Sequence, residues 1–149
     1  TQITPKENPF YLDLPFDDVH DPIAFNERMK VITWAKYPNI FHGQDKNYSY
    51  MKNIWVKLTK NNITCYGQIE DAGPGEYRDA NYVFGKNDSR PLNKKFNGAG
   101  IDISPALNSC LGFSELNADT ETLNWQFVDE KNVPNGPWKK IITTSQVLN

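Results

Sequence analysis

The sequence lacks several features that would assign it to a common functional class. No block of basic residues stands anywhere in its 149 residues, and the net charge is -2. The electrostatic footprint of a nucleic-acid-binding protein is therefore missing. No apolar run approaches the roughly 20 residues that a membrane-spanning helix needs. We expect one domain over residues 1–149, a monomer, with no nucleic-acid partner and no membrane span.

Cysteine and histidine are also scarce, with two of each. Cys65 and Cys110 stand too far apart in sequence for a zinc-ribbon spacing. They form either one disulfide, in an oxidising compartment, or two buried thiols, and the residues alone leave both open. His20 lies among Asp17, Asp18 and Asp21, a pattern more typical of a solvated turn than of a metal site. We therefore predict no metal and no cofactor.

Short runs of β-branched and aromatic residues dominate the rest of the chain and predict strands. These runs cover residues 10–14, 54–59, 63–69, 100–103, 125–128 and 141–144. Glycine and proline turns separate them, as in small barrels rather than in alternating βαβ sheets. We therefore expect a mostly-β fold.

Two capping signals predict short helices, and three segments predict irregular structure. Asp21 before Pro22 starts one helix, and Ser104 before Pro105 starts another that Gly112 ends. The segments without a strand or helix pattern are an extended arm at residues 1–9 and loops at 36–50 and 85–100.

The strongest motifs lie in two segments. Residues 66–74 read Tyr-Gly-Gln-Ile-Glu-Asp-Ala-Gly-Pro, and residues 100–107 read Gly-Ile-Asp-Ile-Ser-Pro-Ala-Leu, followed by Leu-Gly-Phe at 111–113. The first resembles the strand ending in an Asp-x-Gly-Pro turn in RlpA-like domains. The second is similar to the Asp-Leu-Ser-x-Ala-Ala…Leu-Gly stretch of the same group. The chain thus resembles double-psi β-barrels of the RlpA, expansin and family 45 endoglucanase superfamily, over about residues 52–143.

This resemblance implies a six-stranded double-psi β-barrel that is secreted or periplasmic and acts on polysaccharide. It places Asp102 where family 45 enzymes have their general acid. Ile101 and Ile103 flank Asp102, so if both face the core, Asp102 faces the groove. An Asp at the start of a helix also stabilises the helix dipole, and the two interpretations stand about equal.

Asp71 is the second candidate for a catalytic carboxyl. It ends a strand beside a Gly-Pro-Gly turn, where an Asp more often binds backbone amides than substrate. Regular alternation would let only one of Glu70 and Asp71 face the groove. We predict that Asp71 and Asp102 face the same groove, where their repulsion would raise one pKa.

Other residues are assigned to substrate binding or to the disulfide. Family 45 enzymes carry a catalytic aspartate on their first strand, and its nearest counterparts here are Asp13, Asp17 and Asp18. The residues that we assign to substrate binding are Asp13, Tyr66, Gln68, Tyr77 and Tyr82. Trp55 and Trp125 lie inside β-branched runs and are assigned to the core. If the barrel pairs the two motif segments, Cys65 and Cys110 should lie within about 7 Å, the reach of a disulfide.

The chain also departs from the family pattern. The stretch 48–52, before the first hairpin, lacks the histidine of RlpA-like lytic transglycosylases, and residues 17–50 and 77–97 are insertions. Three functions follow. The first is cleavage of a β-linked glycan, either peptidoglycan or a cellulose-like polymer. The alternatives are an expansin-like binding module and a protein-binding inhibitor on the same fold.

Overall fold

The structure, a computed structural model, describes residues 6–95, 98–113 and 122–146. It contains a five-stranded mixed sheet in the order β4-β1-β3-β2-β5. The strands are β1 (Tyr11–Leu14), β2 (Trp55–Lys60), β3 (Ile63–Ala72), β4 (Asp102–Ile103) and β5 (Asn124–Phe127). The helices of the described residues are α1 (Pro22–Val31), α2 (Ala80–Phe84) and α3 (Pro105–Leu111), with 3-10 turns at Thr33–Lys36, Glu130–Asn132 and Pro137–Lys139. None of these helices is long and apolar enough to cross a membrane.

Two of these three helices begin at the caps that the sequence predicts, and α3 also ends at the predicted glycine, whereas α2, capped by Asp79, was not predicted. Asp21 caps α1 by accepting hydrogen bonds from two N–H groups of the first turn, both at 3.0 Å. The Ser104 hydroxyl caps α3 by accepting a bond from the Leu107 N–H at 3.2 Å. Gly112 ends α3 with φ +73°, a left-handed conformation that glycine adopts without strain.

Strand β3 is the centre of the sheet. It pairs in parallel with β1 and antiparallel with β2, through a hairpin that turns at Asn61 and Asn62. One of its faces packs on α3 and carries the disulfide between Cys65 and Cys110, whose Cα atoms are 6.5 Å apart. Gly67 lies on this face, where a Cβ would come within 2.8 Å of Leu107. The absence of a side chain there lets α3 approach the sheet closely.

The other face of β3 is covered by both ends of the described chain. Gln68 is 3% exposed, and its amide binds Asn8 at 2.9 Å and the Thr143 N–H and C=O, each at 2.9 Å. Asn8, itself 1% exposed, belongs to the predicted extended arm, of which residues 1–5 lie outside the described residues. A buried amide with all its partners present fixes these segments on the sheet.

The mostly-β fold is as predicted, but the described residues do not form a closed six-stranded barrel. Residues 141–144, expected to be the last strand, form a segment without regular secondary structure, and Gln68 holds it through side-chain bonds to Thr143. The sheet instead has two edges, β4 and β5. Both edges line one cleft, so the sheet curls around it.

The predicted loop at residues 36–50 is fixed by a buried arginine. Arg28 of α1 is 0% exposed, and its guanidinium donates to the Asp18 carboxylate at 3.1 Å and to the Asp45 carbonyl at 2.8 Å. Asp18 in turn accepts from the Ser49 hydroxyl and from the Tyr50 N–H. The insertion is therefore an ordered part of the domain.

Candidate functional site

Three aspartates from three neighbouring strands meet at one level of the sheet. Asp13 of β1 is the register partner of Asp71 in β3 and of Asp102 in β4. Strand β1 thus lies between the two segments that carry the family resemblance. Directly opposed residues of neighbouring strands project to the same face. Asp13, rather than Asp71, is therefore the acidic neighbour that the sheet places beside Asp102.

Gly73 leaves the space between the carboxyls of Asp13 and Asp102. A Cβ at Gly73 would lie 3.3 Å from Asp102 Oδ2 and 3.8 Å from Asp13 Oδ2. The two oxygens are therefore at most about 7 Å apart. This upper limit excludes the widest spacings of glycosidase carboxyl pairs, which span roughly 5 to 9.5 Å. Any side chain at Gly73 would enter this space.

Asp71 supports Asp13 mainly through its backbone. Its N–H donates to Asp13 Oδ1 at 3.1 Å, while its own carboxylate accepts from the Ala72 N–H at 2.8 Å. The Asp71 carboxylate thus holds its own turn, which is the alternative that the sequence favoured for it. The register shifts at Glu70, where a β-bulge interrupts the alternation of side chains.

The surroundings of Asp13 favour its protonated form. Burial raises the pKa of Asp13 from 3.8 to about 7, and the neighbouring charges of Asp71, Glu70 and Asp102 add to the increase. The hydrogen bond from the Asp71 N–H acts in the opposite direction. Much of the Asp102 residue is exposed to solvent, but its carboxyl is partly buried, and this burial raises the pKa of Asp102 as well. Near neutral pH, Asp13 is thus protonated in about half of the molecules, and the protonated form is the state that a general acid needs.

A cleft of about 1550 Å³ extends from Asp102 along the sheet edges. Aromatic rings form one of its walls: Trp34, Tyr82, Phe84, Trp125 and Phe127. Trp125 donates from Nε1 to the Tyr82 hydroxyl at 2.8 Å, and their rings meet edge to face at 5.8 Å. Sugar faces pack on such rings, and sugar hydroxyls need polar partners at the edges.

The structure separates the residues that we assigned to substrate binding. Tyr82 lines the cleft, and Tyr77 is 48% exposed on the turn that follows β3. Tyr66 packs against Trp138 at 5.2 Å on the opposite face of the sheet from α3. Gln68 is buried on that face, with both its oxygen and its nitrogen bonded within the chain. Tyr66 and Gln68 are thus part of the packing beneath the chain ends, away from the cleft.

Several cleft residues were missed or misassigned from the sequence. Trp55 is in the core at 4% exposure, as predicted, whereas Trp125 is half-buried and lines the cleft. Asn108 of α3 also lines the cleft, and its buried Oδ1 has no hydrogen-bond partner in the described part of the chain. Strand β5 has no fully buried residue, and its polar positions at Asn124 and Gln126 are the signal that could have placed Trp125 at a surface.

Among the described residues, no group of three or more His, Cys, Asp or Glu side chains has the geometry to hold a metal ion. Comparison of the chain with protein-family models, with curated proteins and with solved structures finds no match.

Proposed function

We propose that this protein cleaves a β-linked glycan, peptidoglycan or a cellulose-like polymer, with Asp13 and Asp102 as its acid/base pair. The observation that carries the proposal is the proximity of these two carboxyls beside Gly73, together with the place of Asp102 in the lining of the aromatic-walled cleft. Asp13 is not among the residues that line the cleft, and it adjoins the cleft through Asp102, its register partner. Cleavage of a glycosidic bond needs one carboxyl that donates a proton and one that is ionised.

The family resemblance makes Asp102 the general acid, whereas the environments of the two carboxyls favour Asp13 for that role. Asp13 has a pKa of about 7 and therefore donates the proton to the leaving oxygen. Asp102 opens onto the cleft and acts as the ionised partner, either as nucleophile or as base for water. Asp71 is a positioning residue, because its backbone N–H orients the Asp13 carboxyl.

The relation to double-psi β-barrels and the secreted location belong to the same proposal. The parallel pairing of β1 with β3, and the position of both motif segments beside β1, support a curled relative of that barrel. The Cys65–Cys110 disulfide supports an oxidising compartment, either extracellular or periplasmic.

The test is turnover of purified peptidoglycan and of amorphous cellulose, with soluble fragments measured by chromatography and mass spectrometry. Asp13→Asn and Asp102→Asn should each lower the rate about 100-fold or more, because each removes one titrating carboxyl. Glu130→Gln, an exposed carboxylate outside the cleft, is the matched control and should leave the rate unchanged.

The pH profile of the wild-type protein tests the assignment of roles. Activity should fall as the pH rises above about 7, because Asp13 loses its proton there. Full activity in either Asn variant would contradict the pair. Binding of glycan by the wild-type protein without release of fragments would instead identify an expansin-like binding module.

A further inference from the structure

The segment 86–95 gives the cleft a second wall of opposite charge to the aspartate site. It holds four basic residues and one acidic residue, although the whole chain carries a net charge of -2. Arg90 and Lys94 of this segment line the cleft directly, and so does its one acidic residue, Asp88. The cleft therefore has an acidic end at Asp102 and a basic wall elsewhere.

The basic wall is held in place by buried contacts. The Asp79 carboxylate, in a residue 1% exposed, accepts from the Leu92 N–H at 2.8 Å. Asn93, 5% exposed, donates from its amide to the Ala99 carbonyl at 3.0 Å. A Cβ at Gly100 would lie 2.5 Å from the Tyr82 hydroxyl, so the chain passes directly against that ring. These contacts fix the backbone of the segment, from which the exposed side chains of Arg90 and Lys94 extend.

Arg90 also lies near the aromatic wall. Its positive charge acts to lower the pKa of Tyr82, although burial of the ring raises that pKa overall. The only ion-pair partner of Arg90 in the described residues is Asp88, and both side chains are exposed, at 73% and 92%. Exposed pairs of this kind contribute little stability. A carboxylate on a ligand can therefore replace Asp88 at little cost.

We propose that the cleft binds a glycan that carries carboxylate groups. Arg90 and Lys94 bind those groups, while the Tyr82–Trp125 pair packs on a sugar ring. Because Asp102 is acidic, the carboxylates lie on sugar units away from the bond to be cleaved. This proposal rests on the proposed function and specifies its substrate class.

The carboxylates can come from uronic acid units or from the lactyl and peptide groups of peptidoglycan. The probes are a neutral cello-oligosaccharide, the same oligosaccharide oxidised at C6 to glucuronate, and peptidoglycan strands with and without their peptide stems. Affinity is measured by isothermal titration calorimetry in the Asp102→Asn background, so that the probes remain intact. Tighter binding of the oxidised oligosaccharide or of the peptidoglycan strands then identifies the source.

The charge-neutralising variant is Arg90→Gln with Lys94→Gln. Two exposed ion pairs correspond to about a 2- to 30-fold change in dissociation constant at low salt. We expect that loss for the carboxylated probes and no change for the neutral one. In the protein that keeps Arg90 and Lys94, high salt should abolish the preference for carboxylated probes over the neutral one. The control, Lys30→Gln with Lys131→Gln, removes the same charge from exposed positions outside the cleft and should bind like the parent.

Equal affinity for neutral and oxidised oligosaccharide overturns the proposal, as does an equal loss in the control variant or binding of no probe. A preference for carboxylated probes without turnover by the wild-type protein would leave the binding inference standing and remove the cleavage mechanism. Equal turnover of charged and neutral polymers, unchanged by the substitutions at Arg90 and Lys94, would leave the cleavage mechanism standing and remove the binding inference.

Discussion

Replacement of Asp13 by Asn should make the protein more stable at alkaline pH. Below pH 3.8 the carboxyl is protonated in both the folded and the unfolded chain, so its titration adds nothing to the free energy of unfolding. Between pH 3.8 and about 7, the unfolded chain loses the proton while the folded chain keeps it. Folding is increasingly disfavoured over this range, and above it the penalty is constant.

The size of the penalty follows from the shift from 3.8 to about 7. At about 1.4 kcal/mol for each pKa unit, the full shift corresponds to about 4 kcal/mol. Because Asp13 is only half-buried, solvent screening reduces this value, and we expect about 2 to 4 kcal/mol. An Asn at this position has the same shape and keeps an oxygen that accepts the Asp71 N–H.

The assay is urea unfolding of the wild-type and Asp13→Asn proteins at about pH 4, 5.5, 7 and 8.5. The difference in the free energy of unfolding should be near zero at the lowest pH and should reach its plateau above about pH 7. The Glu130→Gln protein is measured beside them as the control for loss of a carboxylate at an exposed position. An Asp13→Asn protein that is less stable than the wild type at about pH 8.5, or a difference independent of pH, would refute this reasoning.

Three further predictions concern other residues. Asp71→Asn removes a charge beside Asp13, so the pKa of Asp13 should fall below about 7 but stay above 3.8, since burial is the larger cause; carboxyl NMR titration measures this, and an unchanged value would contradict it. Arg28→Ala leaves Asp18 buried without its cation and should lower the free energy of unfolding by about 3 to 5 kcal/mol; an unfolding midpoint equal to that of the wild type would count against it. Asn108→Ala removes a buried acceptor without a partner, so stability should not fall, while the affinity for glycan should fall about 2- to 10-fold; a destabilised variant would show that the oxygen is bonded within the fold.

Local signals of the sequence were sufficient for the starts of α1 and α3 and for the end of α3, although the start of α2 at Asp79 was missed. The caps at Asp21 and Ser104 and the stop at Gly112 depend on side chains and backbone within one turn, so the sequence contains the whole signal. The β2–β3 hairpin, with its turn at Asn61 and Asn62, is local in the same sense.

Features that depend on distant contacts could not be predicted in the same way. The bulge at Glu70 interrupts the regular alternation of side chains between the two faces of β3. The face on which the Asp71 side chain lies therefore could not be read from alternation alone. The pairing of β1 with both motif segments, which makes Asp13 the central acid, is set by contacts almost 60 and 90 residues apart. Trp125 has a core-like sequence context, but β5 is an edge strand and leaves the ring half-exposed.

The hydrogen bonds of the Gln68 amide to both ends of the described chain have a consequence for the order of events during biosynthesis. Its amide is satisfied by Asn8, made early, and by Thr143, made more than 70 residues after Gln68 itself. Until Thr143 has left the ribosome, a nascent chain cannot bury Gln68 without an unmet hydrogen-bonding group, at a cost of about 1 to 3 kcal/mol. Closure of the sheet on this face therefore waits for the synthesis of Thr143, and contacts so distant in sequence make it slow.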